Sequence, residues 1–255
     1  MGAFVAGLVL GAAAGAAVVL FSLRRRSAVI GRFMSFAAHE LNSPLTAVTM
    51  TVANLAAGIF GSSPEEQKPW LDLLREQVAR LGHLVGELRD FIHLEQNRAL
   101  TLAPETLPAA ELIEDAAKNV RSGLAQAKIP LELNVPAALP DVAADADKAA
   151  RTLTSLLYHA RKFRGKGPIT LTARVEGPSV AFLLVYDGQP LEPREAEETM
   201  KLLYPGEAER HTLKVTGLGL GLQRAVLEKL GGSLTLSAEG ATHRLEMRLP
   251  AARPK

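Results

Sequence analysis

IGRFMSFAAHELNSPLTAVTMTVANLAAGI, residues 30–59, carries apolar side chains at Phe33, Ala37, Leu41, Leu45, Val48, Val52, Leu55 and Ile59. Steps of three and four along the whole run are the seam of a long amphipathic helix. Gly61-Ser62-Ser63-Pro64 ends it, because glycine and proline punctuate helices and Pro64 suits the first turn of a new one. A second seam follows at Leu71, Leu74, Val78, Leu81, Leu84, Leu88 and Phe91. Two long helices joined by a short turn pack antiparallel. One such pair buries only part of its apolar surface, so two copies forming a four-helix bundle complete it.

His39 lies between the seam residues Ala37 and Leu41. At the helical turn angle it stands about 200° from each, which aims it away from the bundle core. Pro44 follows in the same helix; it removes one backbone hydrogen bond and is expected to bend the helix one turn beyond His39. A histidine so placed is either a nucleophile or a solvated surface residue. A zinc helix is excluded, since the second histidine it needs at position 43 is Ser43.

Upstream, Ala3 to Leu23 is free of charge, and Arg24, Arg25 and Arg26 follow at once. A run of about 20 helical residues at ~1.5 Å each covers the hydrocarbon thickness. The arginines come after the run, unlike those of a cleaved signal peptide, so the positive-inside rule puts the N-terminus outside and the rest in the cytoplasm. Residues 1–26 are thus expected to be a single-pass anchor in the cell inner membrane, with no extracytoplasmic sensor domain in this polypeptide. Gly7, Gly11 and Gly15 share one face of it. They either favour a homodimer through close helix approach or reflect a Gly- and Ala-rich anchor.

Of the 255 residues 47% are hydrophobic, 22% charged and 5% aromatic, enough apolar material for folded cores. The net charge of +2 gives no reason to expect a nucleic-acid partner. The absence of cysteine excludes disulfides, thiolate metal sites and thiol catalysis. After Asn97 the pattern changes, with Pro104 and Pro108 marking a linker. Helices are predicted over Leu112–Leu124, Asp147–Phe163 and Leu222–Leu230, and strands over Leu131–Val135, from Ile169, from Val180, over Ser233–Ser237 and over His243–Leu249. Helices accompanying a mixed sheet make an α/β sandwich. The organisation is therefore a transmembrane anchor at 1–26, a helical hairpin at 27–103 that dimerises, and an α/β domain at 104–255.

FMSFAAHELNSPLTAV, Phe33 to Val48, resembles the phosphoacceptor box of bacterial sensor histidine kinases: an apolar stretch, Ser or Ala, His-Glu-Leu, two polar residues, Pro-Leu. The resemblance implies that His39 is phosphorylated on its imidazole and that Glu40 orients the ring and removes a proton. It also implies that Ser43, standing where the family has Thr or Asn, helps position water for dephosphorylation of a response regulator. The element order from Thr106 to Pro250 looks like the ATP-binding domain of the same family. GLGLGL, with Gly217, Gly219 and Gly221, runs straight into a helix, and Gly231-Gly232 follow it. Glycines there let backbone N–H groups approach phosphate oxygens at a helix N-terminus.

Other boxes depart from the family pattern. SLLYHARKF, Ser155 to Phe163, aligns with Asn-Leu-Leu-x-Asn-Ala-x-Lys-Phe. Lys162 is kept for a phosphate, but His159 occupies the place of the asparagine whose amide oxygen binds Mg²⁺. Mg²⁺ prefers oxygen ligands and imidazole suits softer metals, so the exchange should weaken binding at least ~10–100-fold. The pattern Asp-x-Gly-x-Gly reads Asp187-Gly188-Gln189-Pro190-Leu191. The resemblance assigns Asp187 to the adenine amino group, while Gln189 and Leu191 replace glycines. Leu202-Leu203-Tyr204-Pro205 is the nearest match to the family's Phe-rich box, and the lid from Gly206 to Thr216 offers Arg210 and Lys214 to a phosphate.

The expectation from these residues is a membrane-anchored, dimeric histidine kinase that uses ATP and Mg²⁺ and passes the phosphoryl group from His39 to the receiver domain of a response regulator. The alternative is a pseudokinase, a histidine phosphotransfer protein or scaffold that does not use ATP. A purely structural membrane coiled coil leaves the glycine boxes unexplained.

Overall fold

The computed structural model describes residues 31, 34–35, 37–96, 100–201 and 219–252. Helix α1 runs over 37–56 and stays helical through Pro44, which is buried. At the turn the ring of Phe60 stacks on that of Trp70, centroids 3.7 Å apart. Helix α2 (Pro64–Glu95) begins on a capping box: the Ser63 hydroxyl accepts from the Glu66 amide at 3.3 Å and the Glu66 carboxylate accepts from the Ser63 amide at 3.1 Å. These bonds occupy helix-end donors that would otherwise lack partners.

The second unit starts with β1 (Glu105–Leu107), α3 (Ala109–Gln126), β2 (Leu131–Asn134), β3 (Val142–Ala144) and α4 (Ala146–Phe163). It continues with β4 (Ile169–Glu176), β5 (Ser179–Asp187), α5 (Pro193–Thr199), α6 (Leu220–Lys229), β6 (Ser233–Glu239) and β7 (Thr242–Pro250). The main sheet has the order β2-β4-β5-β7-β6, with β2 parallel to β4 and the other pairs antiparallel. Alternation along its strands sends Leu171, Phe182, Leu184, Leu245 and Met247 into one core with Ile113 and Val120 of α3 and Leu153 and Leu157 of α4. The opposite face carries ion pairs, among them Arg174 Nη2 to Glu246 Oε2 at 2.8 Å and Arg248 Nη2 to Glu176 Oε2 at 2.7 Å. The result is the α/β sandwich expected, one face covered by helices.

Three elements were not legible. β1 lies inside the stretch between Pro104 and Pro108 read as a linker, and it pairs antiparallel with β3. Strands of three residues are too short to show a period, and their pairing is supplied by the neighbour. α5 has the sequence PREAEET, with no apolar stripe, and forms on a capping box between Glu192 and Glu195. The expected anchor, its glycine face, the Leu202–Pro205 box, the lid with Arg210 and Lys214, and Gly217 lie outside the described residues. Among the described residues no helix is long and apolar enough to cross a membrane.

A second, smaller core joins the two units. Ala37, Phe91 and Leu100 pack with Leu222 and Val226 of α6. The predicted seam is thereby divided. Phe91 is buried against α6 and Leu84 is buried too, while Leu45, Val52, Ile59, Leu71 and Val78 remain exposed. Phe91, 1% exposed, is the largest side chain of this junction. Phe91→Ala should lower stability by about 3–5 kcal/mol, read from denaturant unfolding of the full chain.

Candidate functional site

Helices α2 and α4 meet along two polar stripes. On α2 the stripe is Glu76, Arg80, His83, Glu87 and Asp90; on α4 it is Lys148, Arg151, Ser155, Tyr158 and Lys162. Both advance by threes and fours, so each occupies one helical face. The pairs run in opposite senses along the two helices. Asp90 is bonded to Lys148, and its second oxygen lies 3.4 Å from Arg151 Nη2. Glu87 Oε1 accepts from Ser155 Oγ at 2.5 Å and from Gln223 Nε2 of α6 at 2.6 Å. Arg161 Nη1 donates to Glu76 Oε1 at 3.0 Å. Between these, the Arg80 guanidinium lies 5.4 Å from the Tyr158 ring centre, with the His83 ring edge-on to the same tyrosine. Burial pushes the Glu76 carboxyl above its usual range, an effect the Arg161 charge partly offsets.

At the upper end of this seam His39 is exposed and Glu40 is 6% exposed. The Glu40 carboxylate is held from both sides: Oε2 lies 3.3 Å from Arg80 Nη2 of its own hairpin, and Oε1 lies 3.6 Å from Lys162 Nζ of α4. A cavity of about 410 Å³ opens here, lined by His39, Glu40, Ser43, Arg80, His83 and Lys162 among others. Burial, reinforced by the Arg151 charge, lowers the His83 pKa to about 4, so its ring is neutral at pH 7. The cavity thus combines an exposed imidazole, a carboxylate beside it and cations from both units. That set suits transfer of an anionic group to or from the ring.

The structure brings His39, Glu40, Ser43 and Lys162 together; the other expected site residues lie elsewhere. Gly219 has φ 91° and opens α6 with no side-chain hydrogen bond on its cap, a conformation that favours glycine, and Gly221 is buried in the first turn. Asp187 ends β5 on the exposed side, where it accepts from Thr242 Oγ1 at 3.0 Å. Its neighbour Tyr186 faces the helices instead. His243 Nε2 donates to the Gln189 carbonyl at 2.7 Å, and its ring lies against Tyr186. A Cβ on Gly188 would stand 2.9 Å from the His243 ring, so only glycine fits this turn. Leu191 is buried and Gln189 exposed.

His159 is 4% exposed, its ring 4.5 Å from that of Phe163. Burial, with the charges of His243 and Lys162, lowers its pKa to about 3. A neutral imidazole packed among rings does not fit Mg²⁺, which wants oxygen ligands in an octahedral shell. No group of three or more His, Cys, Asp or Glu able to hold a metal exists among the described residues. Sequence reasoning missed Glu76, Arg80, His83, Glu87, Asp90 and Arg161. Their signal was present as the polar stripe on α2, in step with the apolar seam.

The family model of the His Kinase A (phospho-acceptor) domain matches residues 29–97. The two-component sensor PprA of Pseudomonas aeruginosa is 29% identical over 242 residues, covering 90% of this chain and 25% of that protein. The chain spans 25–37% of the length of the first curated relatives it matches. Among solved structures, full-length ShkA in complex with AMPPNP aligns with TM-score 0.56 at 22% identity, covering 88% of this chain and 46% of that one. Histidine kinase ThkA in complex with the response regulator protein TrrA aligns with TM-score 0.55 at 19% identity, covering 90% and 64%. These alignments show a shared fold.

Two outcomes are expected of the buried rings. Folded His159 and His83 stay neutral down to about pH 3 and about pH 4, whereas the unfolded chain protonates both near pH 6.5. Their contribution is therefore complete above about pH 6.5 and is lost as the pH falls below it. The melting temperature should drop between about pH 7 and about pH 4.5, and drop less in His159→Asn. The same variant puts an amide oxygen at this position, so calorimetry with Mg²⁺ and AMPPNP should find binding at least ~10-fold tighter than in the unmodified chain; an unchanged affinity would show that His159 does not limit it.

Proposed function

We propose, for a chain that belongs with the bacterial two-component sensor histidine kinases, that it is a protein-histidine kinase acting on itself and on a response regulator. ATP is the phosphoryl donor. The His39 imidazole attacks the γ-phosphorus, the bond from phosphorus to the bridging oxygen breaks, and ADP leaves. The ring proton passes to Glu40. The phosphoryl group then moves to an aspartate of the regulator's receiver domain. Catalysis rests on positioning and charge neutralisation, and Arg80 and Lys162 beside Glu40 supply positive charge on the chain's own account.

The observation that carries this reading is the cavity where exposed His39 and buried Glu40 face Lys162, a residue of the α/β unit. The relationship to kinases supports ATP as donor, and the AMPPNP complex of ShkA is in keeping with it. The ThkA complex with TrrA supports a receiver domain as acceptor. Ser43, one turn beyond His39 in the same cavity, keeps a hydroxyl for orienting water in the reverse, phosphatase reaction. The exposed apolar row of Leu45, Val52, Ile59, Leu71 and Val78 supports a homodimer through a four-helix bundle. The uncharged run from Ala3 to Leu23 followed by three arginines supports a single-pass inner-membrane anchor with the N-terminus outside.

The test is direct. The full chain in detergent is incubated with γ-labelled ATP and either Mg²⁺ or Mn²⁺, with His39→Gln alongside. Label should appear in the wild type and be absent from the variant. No label in either, combined with phosphoryl exchange from an already phosphorylated regulator, would establish a phosphotransfer protein in place of a kinase.

A further inference from the structure

We infer that the cavity at the α2–α4 seam is a seat for the dianionic phosphoryl group once His39 carries it, with Arg80 and His83 of α2 and Arg161 and Lys162 of α4 as its donors. The inference rests on His39 being the phosphoacceptor and adds where the transferred group resides. All four side chains line the cavity onto which exposed His39 opens; of the carboxylates that also line it, Glu40 lies between Arg80 and Lys162 and Glu87 is bonded to Ser155 and Gln223. Two cations, one from each unit, converge on the single carboxylate of Glu40. An arginine has five N–H donors, and the Arg80 fork commits one of them to Glu40.

A second observation points the same way. His83 Nε2 is buried on this cavity and has no hydrogen-bond partner among the described residues. A buried polar atom left unpaired is unfavourable, and a neutral imidazole can carry its proton on that nitrogen and donate to an anion. The His83 ring is neutral at pH 7, so it offers a hydrogen bond without competing for a full counter-charge. Arg161 is already oriented by Glu76. Charge-assisted bonds to phosphoryl oxygens are the strong class, and here they would come from both helices. Phosphorylation therefore ties the α/β unit to the hairpin through one group.

The measurement is the second ionisation of the phosphoryl group, followed by phosphorus NMR across pH. The full chain in detergent is phosphorylated with phosphoramidate, independently of ATP: the phosphorus–nitrogen bond of the reagent breaks, ammonia leaves, and a phosphorus–nitrogen bond to the imidazole forms. Cations and N–H donors favour the dianion, so the ionisation should fall about one unit below that of the same group on a peptide of residues 33–48. Arg80→Gln should return at least about half of that shift, while Arg80→Lys, which keeps the charge, should retain most of it. Equal values in chain and peptide, or no response to Arg80→Gln, would overturn the seat; failure of phosphoramidate to label His39 would instead overturn the phosphoacceptor reading on which the seat rests, and the seat with it. A normal shift in a chain that ATP does not label would instead leave the seat standing and remove the kinase reading.

Discussion

Three carboxylates buried along one helix set the arrangement of this protein. Glu76, Glu87 and Asp90 of α2 are each under 9% exposed, and each is met by a donor from α4 or α6. A buried charge without a partner is penalised by several kcal/mol, so docking of the α/β unit over these residues requires that each carboxylate meet its donor. The ladder also defines register. Sliding α4 by one turn, about 5.4 Å, would take Lys148 away from Asp90 and Arg161 away from Glu76 together. The apolar junction of Ala37, Phe91, Leu222 and Val226 adds affinity without direction, and the charges supply the direction.

Register matters because chemistry is assembled across that seam. His39 and Glu40 come from α1, Arg80 and His83 from α2, and Arg161 and Lys162 from α4. Neither unit holds the set alone. The ladder places Lys162 opposite Glu40, and the neighbouring His39 imidazole stays exposed while its surroundings are ordered. Polar side chains spaced by threes and fours on two antiparallel helices keep facing one another along the contact, which carries the order set at Asp90 toward Glu40.

The far end of α4 follows a different logic. His159, Phe163, Tyr186 and His243 form a cluster of rings between α4 and the ends of β5 and β7. Their polar atoms are bonded inward, His243 to the Gln189 carbonyl and toward the Tyr186 hydroxyl. An imidazole in this position contributes area and shape to the core, and burial keeps it neutral. Where the family pattern places an oxygen ligand, this chain has His159 packed among rings, and the neighbouring turn is tied to the same cluster through the Gln189 carbonyl.

The two helical seams, the turn between them and the longer alternating strands were legible in the chain because each is a local pattern along the sequence. Position of His39 off the seam was legible for the same reason. The three-residue strands β1 and β3 were not, since their existence depends on each other, and the orientation of Asp187 was not, since one residue of strand register moves it to the other face. The polar stripe on α2 could be read as a stripe, but nothing local distinguishes a solvated face from one that meets opposite charge. Only the packed structure decided that Glu76, Glu87 and Asp90 are buried, that Glu40 lies between Arg80 and Lys162, and that His83 closes the cavity beside His39. Periodicity is a property of neighbours along the chain; complementarity belongs to pairs that folding brings together from opposite ends of it.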